Sequence, residues 1–352
     1  MRVWDAIIAG GGIIGLSLAR ELQKRGLRVL VVEKGEPGRE ASYAAGGMLA
    51  DSGDENPPLL QPLMTASARM YPEFVHELED ESGLKADLRE QGTILLRSPA
   101  ETSSNNSTHT LSNADLSKIN WNLQTDGYQA LWLSERSVDP RALAQAALKA
   151  CRHRGVDISS GDPVISITVS NDRVTGVTTT KTEFQSAIVI NCAGAWSSQL
   201  GPGNLPTRPF KGQMLCVAMP ERDFLRHVVR SPDVYLIPRS DGRMLIGATV
   251  EDAGYNKRVD PETIQRLRQA ALKLMPALSQ ARILEDWAGL RPGTPDGLPI
   301  LGATPVRGYY VATGHFRDGI LLAPATAEVM SDVITSGTTS FDLSPFSVSR
   351  FH

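Results

Sequence analysis

The 352-residue sequence predicts an α/β fold, α+β overall, with a nucleotide-binding domain interleaved with a second domain built on a large antiparallel or mixed sheet. Three observations carry this. The first residues read as a βαβ unit around GGGIIG (10–15). Strand–helix patterns of the same kind return near the C-terminus, and short alternating strands crowd the middle of the chain. Sections of sequence that lie far apart must therefore build one domain.

Taken in order, Val3–Ala9 is a short apolar run that reads as a buried strand entering the turn Gly10-Gly11-Gly12. Ile14, Leu18 and Leu22 recur at helical spacing over Ile13–Arg25, with Gly26 as a C-terminal cap. Leu27–Glu33 is a second buried strand, and the crossover between the two should be right-handed and parallel. Helices are predicted at 61–82 ahead of Gly83, at 140–154 after Asp139-Pro140, and at 261–275. The polar stretch 101–113 reads as an exposed loop. Val164–Val169, Arg173–Thr180 and Ala187–Asn191 read as strands, and 211–250 as an antiparallel sheet. The end gives a strand in GYYVATG (308–314) and a helix from about 320. AGLRPGTPDG (288–297), which carries Arg291, reads as a stiff turn or loop.

Composition excludes several classes. A formal charge of −3 leaves no basic face for nucleic acid. Three distant cysteines, Cys151, Cys192 and Cys216, suit neither a disulfide framework nor a zinc site, so no metal is expected and a reducing cytoplasm fits. The apolar N-terminus holds an Asp and three glycines and offers no clear cleavage site, so it does not read as a signal peptide. No apolar run reaches the roughly 18 residues a membrane span needs.

The chemistry begins at GGGIIG. Gly10 permits the tight turn, Gly12 lets a pyrophosphate approach the backbone, and Gly15 lets the helix pack close to the strand. Glu33 closes the next strand about twenty residues on, where a carboxylate holds a ribose diol. A carboxylate there argues against a 2′-phosphate. This motif alone leaves a plain NAD dehydrogenase open. ASYAAGGML (41–49) points instead to a bulky cofactor lying along the backbone, with Gly46 and Gly47 offering unobstructed N–H groups.

GGGIIG with Glu33, ASYAAGGML, NCAGAWS (191–197), DVYLIPR (233–239), WAGLRPGTPDG and GHFRDGILLAP (314–324) together resemble the FAD-dependent amino-acid and amine oxidase family, in particular its glycine oxidase branch, whose members often serve thiamine biosynthesis. The resemblance runs in order from residue 5 to about 335. It implies a Rossmann-like FAD domain from 1–80, 137–205 and 290–352, with a substrate domain from 81–136 and 206–289. It also implies FAD contacts from Gly10, Gly12, Ile13, Ile14 and Gly15 at the phosphate turn, and from Glu33 and Lys34 at the adenosine. Ala41, Ser42, Gly46, Gly47 and Met48 would follow pyrophosphate and flavin, Val164 would reach the adenine through its main chain, and Gly194 falls within the NCAGAWS match. His315, Phe316, Arg317, Asp318, Gly319, Ile320 and Leu321 would wrap the flavin's pyrimidine end.

An amino acid presents a carboxylate, an amine and a Cα–H. Its oxidation delivers hydride to the flavin and leaves an imine that hydrolyses to a 2-oxo acid and ammonia. A guanidinium matches a carboxylate in bidentate geometry. Arg291 stands where the family carries its carboxylate-binding arginine, Tyr235 would donate to the same carboxylate, and Arg317 would serve substrate or flavin. His315 reads as structural or close to the flavin, and His76, His109, His153, His227 and His352 as surface or loop residues. The chain lacks a cysteine in AGLRPGTPDG, where the sarcosine oxidase branch attaches flavin, so FAD should be non-covalent. The strand GRMLIGATV lacks the lysine which that branch uses to promote reaction with oxygen, and Lys211 is not assigned that role. The resemblance implies glycine or another small amino acid or amine, such as sarcosine or a small D-amino acid, as substrate, with O₂ or another electron acceptor as partner. Two readings stay open beside an oxidase: a D-amino-acid dehydrogenase, and a non-catalytic flavin-binding subunit. Homo-oligomerisation is also left open.

Overall fold

The computed structural model describes residues 3–52, 57–98, 109–119, 123–203, 205–219, 221 and 224–351. A six-stranded sheet runs in the order Ile300–Ala303, Tyr309–Thr313, Val189–Asn191, Ala6–Ala9, Val29–Glu33, Asp157–Ser160. Its strands are parallel except for the Ile300–Ala303 edge, which runs antiparallel to its neighbour. Side chains alternate along Ala6–Ala9 and Val29–Glu33. Ala6, Ile8, Val29 and Val31 join a core beneath the helices, and Ile7, Ala9, Leu30 and Val32 join a second core under a three-stranded antiparallel layer. Burial on both faces explains why these strands read as unbroken apolar runs.

The helices Ile13–Lys24, Gln61–Ser82, Pro140–His153 and Ala323–Ser336 pack together on the first face. Their ends follow the local signals. Gly83 caps its helix at φ +66°, and the Asp139 carboxylate accepts from the Arg141 and Ala142 amides ahead of Pro140. The helices are also tied by charge. Arg20, 3% exposed, pairs with Glu77 and Glu81 across the bundle, and Arg154 reaches Glu81 from a third helix.

The second sheet has eight strands, in the order Arg282–Gly293, Arg208–Ala218, Arg243–Gly247, Tyr235–Pro238, Val228–Arg230, Thr93–Arg97, Gln129–Leu133, His109–Thr110. Only Val228–Arg230 and Thr93–Arg97 pair in parallel, so the sheet is mixed. Leu215, Val217, Leu236, Met244 and Ile246 face a core shared with the Pro261–Leu274 helix. Met214, Ile237 and Leu245 alternate to the opposite face, toward Met48 and Trp287. Among the described residues no helix is long and apolar enough to cross a membrane.

The structure departs from the sequence reading at several points. Arg291 lies in the twelve-residue strand Arg282–Gly293, opposite Phe210, and not on a loop. Pairing along the full length of Arg208–Ala218 overrides the glycine and proline signals until Thr294. The expected domain boundary at residue 290 falls inside this strand. The loop expected over 101–113 fails at its end, where His109–Thr110 form a strand and Asn113 opens a helix; residues 101–108 lie outside the described residues. His227 lies in a loop as expected, half-buried with its ring edge-on to Trp132, while His352 lies outside the described residues.

The buried ion cluster carries a stability prediction. Burial alone would raise the Glu81 pKa, but hydrogen bonds and charge from Arg20 and Arg154 outweigh it and bring it down to about 2. A carboxylate depressed in the folded state contributes stability above its unfolded pKa and loses it as pH falls toward the folded one. Glu81→Gln is therefore expected to cost about 1–3 kcal/mol at neutral pH, less than a fully buried pair would because the cluster is partly open to solvent. Urea denaturation should show the gap to wild type closing as pH drops from about 4.5 toward about 2.

Candidate active site

The two sheets face a common cavity of about 620 Å³. One end is built by the first βαβ unit. Gly10 has φ +114°, and a Cβ there would run into the Cys192 carbonyl, so the chain can turn at this point only without a side chain. Gly10, Gly12, Ile13 and Ile14 line the cavity, whereas Gly15 lies behind it and sets the helix against the strand. The Ile13 amide donates to Ser42 Oγ at 2.9 Å, so it is already satisfied within the protein.

Glu33 closes its strand on the cavity wall and is 7% exposed. Its Oε2 accepts from the Gly11 amide at 2.7 Å and its Oε1 from the Gly35 amide at 3.0 Å, which fixes the carboxylate and leaves each oxygen further acceptor capacity. The Lys34 ammonium sits 3.0 Å from the centroid of the Trp196 ring and 3.0 Å from Glu40. Val164 and Gly194 complete this end.

The small-residue run crosses the middle of the cavity. Ala41, Ser42, Gly46, Gly47 and Met48 all line it. Arg239, 1% exposed, reaches from the large sheet and donates to the Gly46 carbonyl, anchoring the run from behind. Burial lowers the Arg239 pKa to about 10, which still leaves it cationic at neutral pH.

The far end is a row across the large sheet. Strand register places Arg230, Tyr235, Gly247, Met214 and Trp287 side by side, and the first four line the cavity. Arg291, four residues beyond Trp287 on the edge strand, lies on the same face. Its guanidinium rests on Gly212, where a Cβ would collide with it, and Nη1 donates to the Thr249 carbonyl at 2.9 Å. Burial pushes the Tyr235 phenol above its ordinary pKa, with the facing Arg291 charge pulling the other way. The Tyr235 hydroxyl lies 3.8 Å from Met214 Sδ.

His315 to Ile320 form the adjoining wall. His315 is fully enclosed, 3.1 Å from Thr326 Oγ1, and burial pushes its pKa down to about 3, so it stays neutral. Phe316 adopts φ +47°, donates its amide to the Pro292 carbonyl and meets Phe210 edge-on. Arg317 is exposed, lies over Phe316 and makes no hydrogen bond or ion pair among the described residues. Leu321 does not line the cavity. It is buried in the helical core, and its carbonyl accepts from Ser67 Oγ.

Sequence reasoning missed Gly212, Met214, Thr249 and Trp196. Gly212 carried a readable signal, because a glycine inside an apolar strand marks a close approach. Thr249 contributes only a carbonyl, which no side-chain pattern exposes.

The model of the FAD dependent oxidoreductase family matches residues 5–333. The chain belongs to that family. It is 33% identical to the glycine oxidase of Pseudomonas aeruginosa, over 97% of each chain. It is 36% identical to the bifunctional protein ThiO/ThiG of Trichormus variabilis over 99% of its own length, but spans only 55% of that relative. The crystal structure of glycine oxidase from Geobacillus kaustophilus superposes with a TM-score of 0.94 at 32% identity, covering 99% of each chain. FAD is the family's cofactor, and the residues present suit it: a side-chain-free phosphate turn at Gly10, an anchored carboxylate at Glu33, and a glycine backbone along the middle of the cavity.

Gly212→Ala is expected to displace the Arg291 side chain and break its bond to Thr249, at about 1–3 kcal/mol of stability. A crystal structure of the variant and a thermal melt would check both effects.

Proposed function

We propose that this FAD-dependent oxidoreductase oxidises glycine or another small amino acid or amine, such as sarcosine or a small D-amino acid, with O₂ reduced to H₂O₂. One observation carries the reading. A guanidinium is held against a glycine backbone beside a half-buried tyrosine, in the same cavity as the dinucleotide turn. Arg291 takes the substrate carboxylate through its remaining donors, and Tyr235 adds a phenolic donor to the same group. Anchoring the carboxylate orients the Cα–H and converts encounter into a fixed approach. Bound FAD supplies the hydride acceptor. No residue need abstract a proton when the substrate amine arrives neutral, which agrees with His315 being held neutral and weakly basic. Arg317, exposed at the cavity edge, adds positive charge for the incoming carboxylate.

The remaining assignments follow from this reading. The residues named from Gly10 to Ile320 are the cofactor and substrate contacts, and Leu321 supports them from the core. The six-stranded sheet belongs to an FAD domain and the eight-stranded sheet to a substrate domain. FAD is non-covalent: Cys192 is the one cysteine on the cavity wall among the described residues, and burial pushes its thiol pKa up. A reducing cytoplasm suits three buried, free thiols.

A second reading keeps the same reductive chemistry but passes electrons to an acceptor other than O₂. It is favoured by Lys34 being the only lysine on the cavity wall among the described residues, at the end remote from Arg291. Stoichiometric H₂O₂ formation with glycine supports the oxidase. Slow reoxidation in air supports the alternative.

The deciding experiment is anaerobic bleaching of bound flavin by glycine, sarcosine, D-alanine, D-proline and L-amino acids. Bleaching by small members of the panel is expected, and bleaching by none overturns the reading. Arg291→Ala should lower kcat/KM by about 10²- to 10³-fold, mostly through KM, and Tyr235→Phe by about tenfold or less. Steady-state kinetics checks both.

A further inference from the structure

A polar cluster behind Arg291 takes no direct part in this chemistry. Beyond the Arg243–Gly247 strand the chain runs through Thr249 to Glu251, and Glu251 exchanges two backbone hydrogen bonds of 2.9 Å with Lys211. The Glu251 carboxylate gathers three donors. Thr249 Oγ1 donates to Oε1, Gln213 Nε2 donates to the same oxygen at 2.8 Å, and the Lys211 ammonium lies 3.5 Å from Oε2. Lys211 is 4% exposed and Gln213 fully buried, and the Glu251 carboxylate that they hold from inside is itself half-buried, with 32% of its side chain exposed. Burial alone would raise the Glu251 pKa, but the bonds from Thr249, Gln213 and Lys211 outweigh it and hold the carboxyl below its usual range. Glu251 is therefore ionised at neutral pH.

The network reaches the cavity at one point. The Gln213 amide donates to Thr249 Oγ1 at 3.0 Å, so Thr249 is gripped from both sides while its carbonyl accepts from Arg291 Nη1. The guanidinium is thus located by two contacts: the bare Gly212 backbone beneath it and the Thr249 carbonyl at its side. Gly212 restricts where the group can lie, and the Thr249 carbonyl fixes its rotation in that plane. Two parallel N–H bonds to a carboxylate need that rotation fixed.

We infer that Glu251 is a positioning residue for Arg291, acting through Thr249: its carboxylate, held by Lys211 and Gln213, fixes the Thr249 carbonyl and thereby turns the free edge of the guanidinium toward a substrate carboxylate. This deepens, and rests on, the reading of Arg291 as the carboxylate anchor. Loss of Glu251 leaves Arg291 in place but lets it rotate, so it weakens carboxylate binding more than it slows the bound substrate.

A double-mutant cycle on the FAD-loaded protein tests this, with glycolate as a carboxylate probe that lacks an amine, and its Kd read from the perturbed flavin absorbance. Glu251→Ala should raise the glycolate Kd and the glycine KM by about tenfold, with a smaller change in kcat. In an Arg291→Ala background the same substitution should raise the Kd no further, because the group it positions is gone. Glu251→Gln, which keeps an acceptor for the Thr249 hydroxyl, should recover part of the loss. It also carries the cycle if Glu251→Ala does not fold. Unchanged glycolate binding in both Glu251 variants overturns the inference, as does an equal loss in both Arg291 backgrounds. If wild-type protein binds no glycolate and turns over no glycine, and Arg291→Ala is no different, the substrate reading fails and this inference with it.

Discussion

The site depends on a guanidinium lying flat on a strand that presents no side chain at that spot. Arg291 and Gly212 belong to neighbouring strands of one antiparallel pair, and the pair has to run unbroken for the contact to exist. That requirement accounts for the length of both strands, twelve and eleven residues, where the other strands of the sheet have two to five. It also sets Arg291 against Gly212 and the Thr249 carbonyl before any substrate arrives. A loop arginine would lose side-chain and backbone entropy each time it bound an anion, whereas a strand arginine with its rotation already fixed gives that up on folding.

The second constraint is that a cavity open to both sheets must be closed by backbone. Side chains there would fill it, and the chain answers with the glycine turn at Gly10 and with the run from Ala41 to Met48. Each is tied down, twice by a side chain on the cavity wall and once, by Arg239, from behind it. Glu33 holds the Gly11 amide, Ser42 holds the Ile13 amide, and Arg239 holds the Gly46 carbonyl. The two halves of the molecule thus brace one another through the site as well as around it.

Much of this was legible in the sequence, and what was lost was lost for identifiable reasons. The parallel sheet announced itself because strands buried on both faces read as apolar runs, and the helix starts and stops because Asp139 and Gly83 act locally. GGGIIG, Glu33 and ASYAAGGML, read together as a dinucleotide site, do come together on one cavity wall. Arg291 does face the cavity, but its setting was misread: proline and glycine are local signals, and the eleven-residue pairing that overrode them is not local. The resemblance set Leu321 at the flavin with its neighbours, and the structure buries its side chain in the helical core. The grip of Thr249 and Glu251 on Arg291 runs through a main-chain carbonyl and a bridge between residues forty apart, and nothing in residue identity marks either.

Whether the carboxylate anchor is what makes a small amine a substrate can be measured directly. Anaerobic stopped-flow would compare flavin reduction by glycine and by methylamine, which share a reactive C–H beside an amine and differ in the carboxylate. The account predicts saturable reduction by glycine and none by methylamine at comparable concentrations. Equal reduction by both would show that the carboxylate, and the arginine built to hold it, does not govern the reaction.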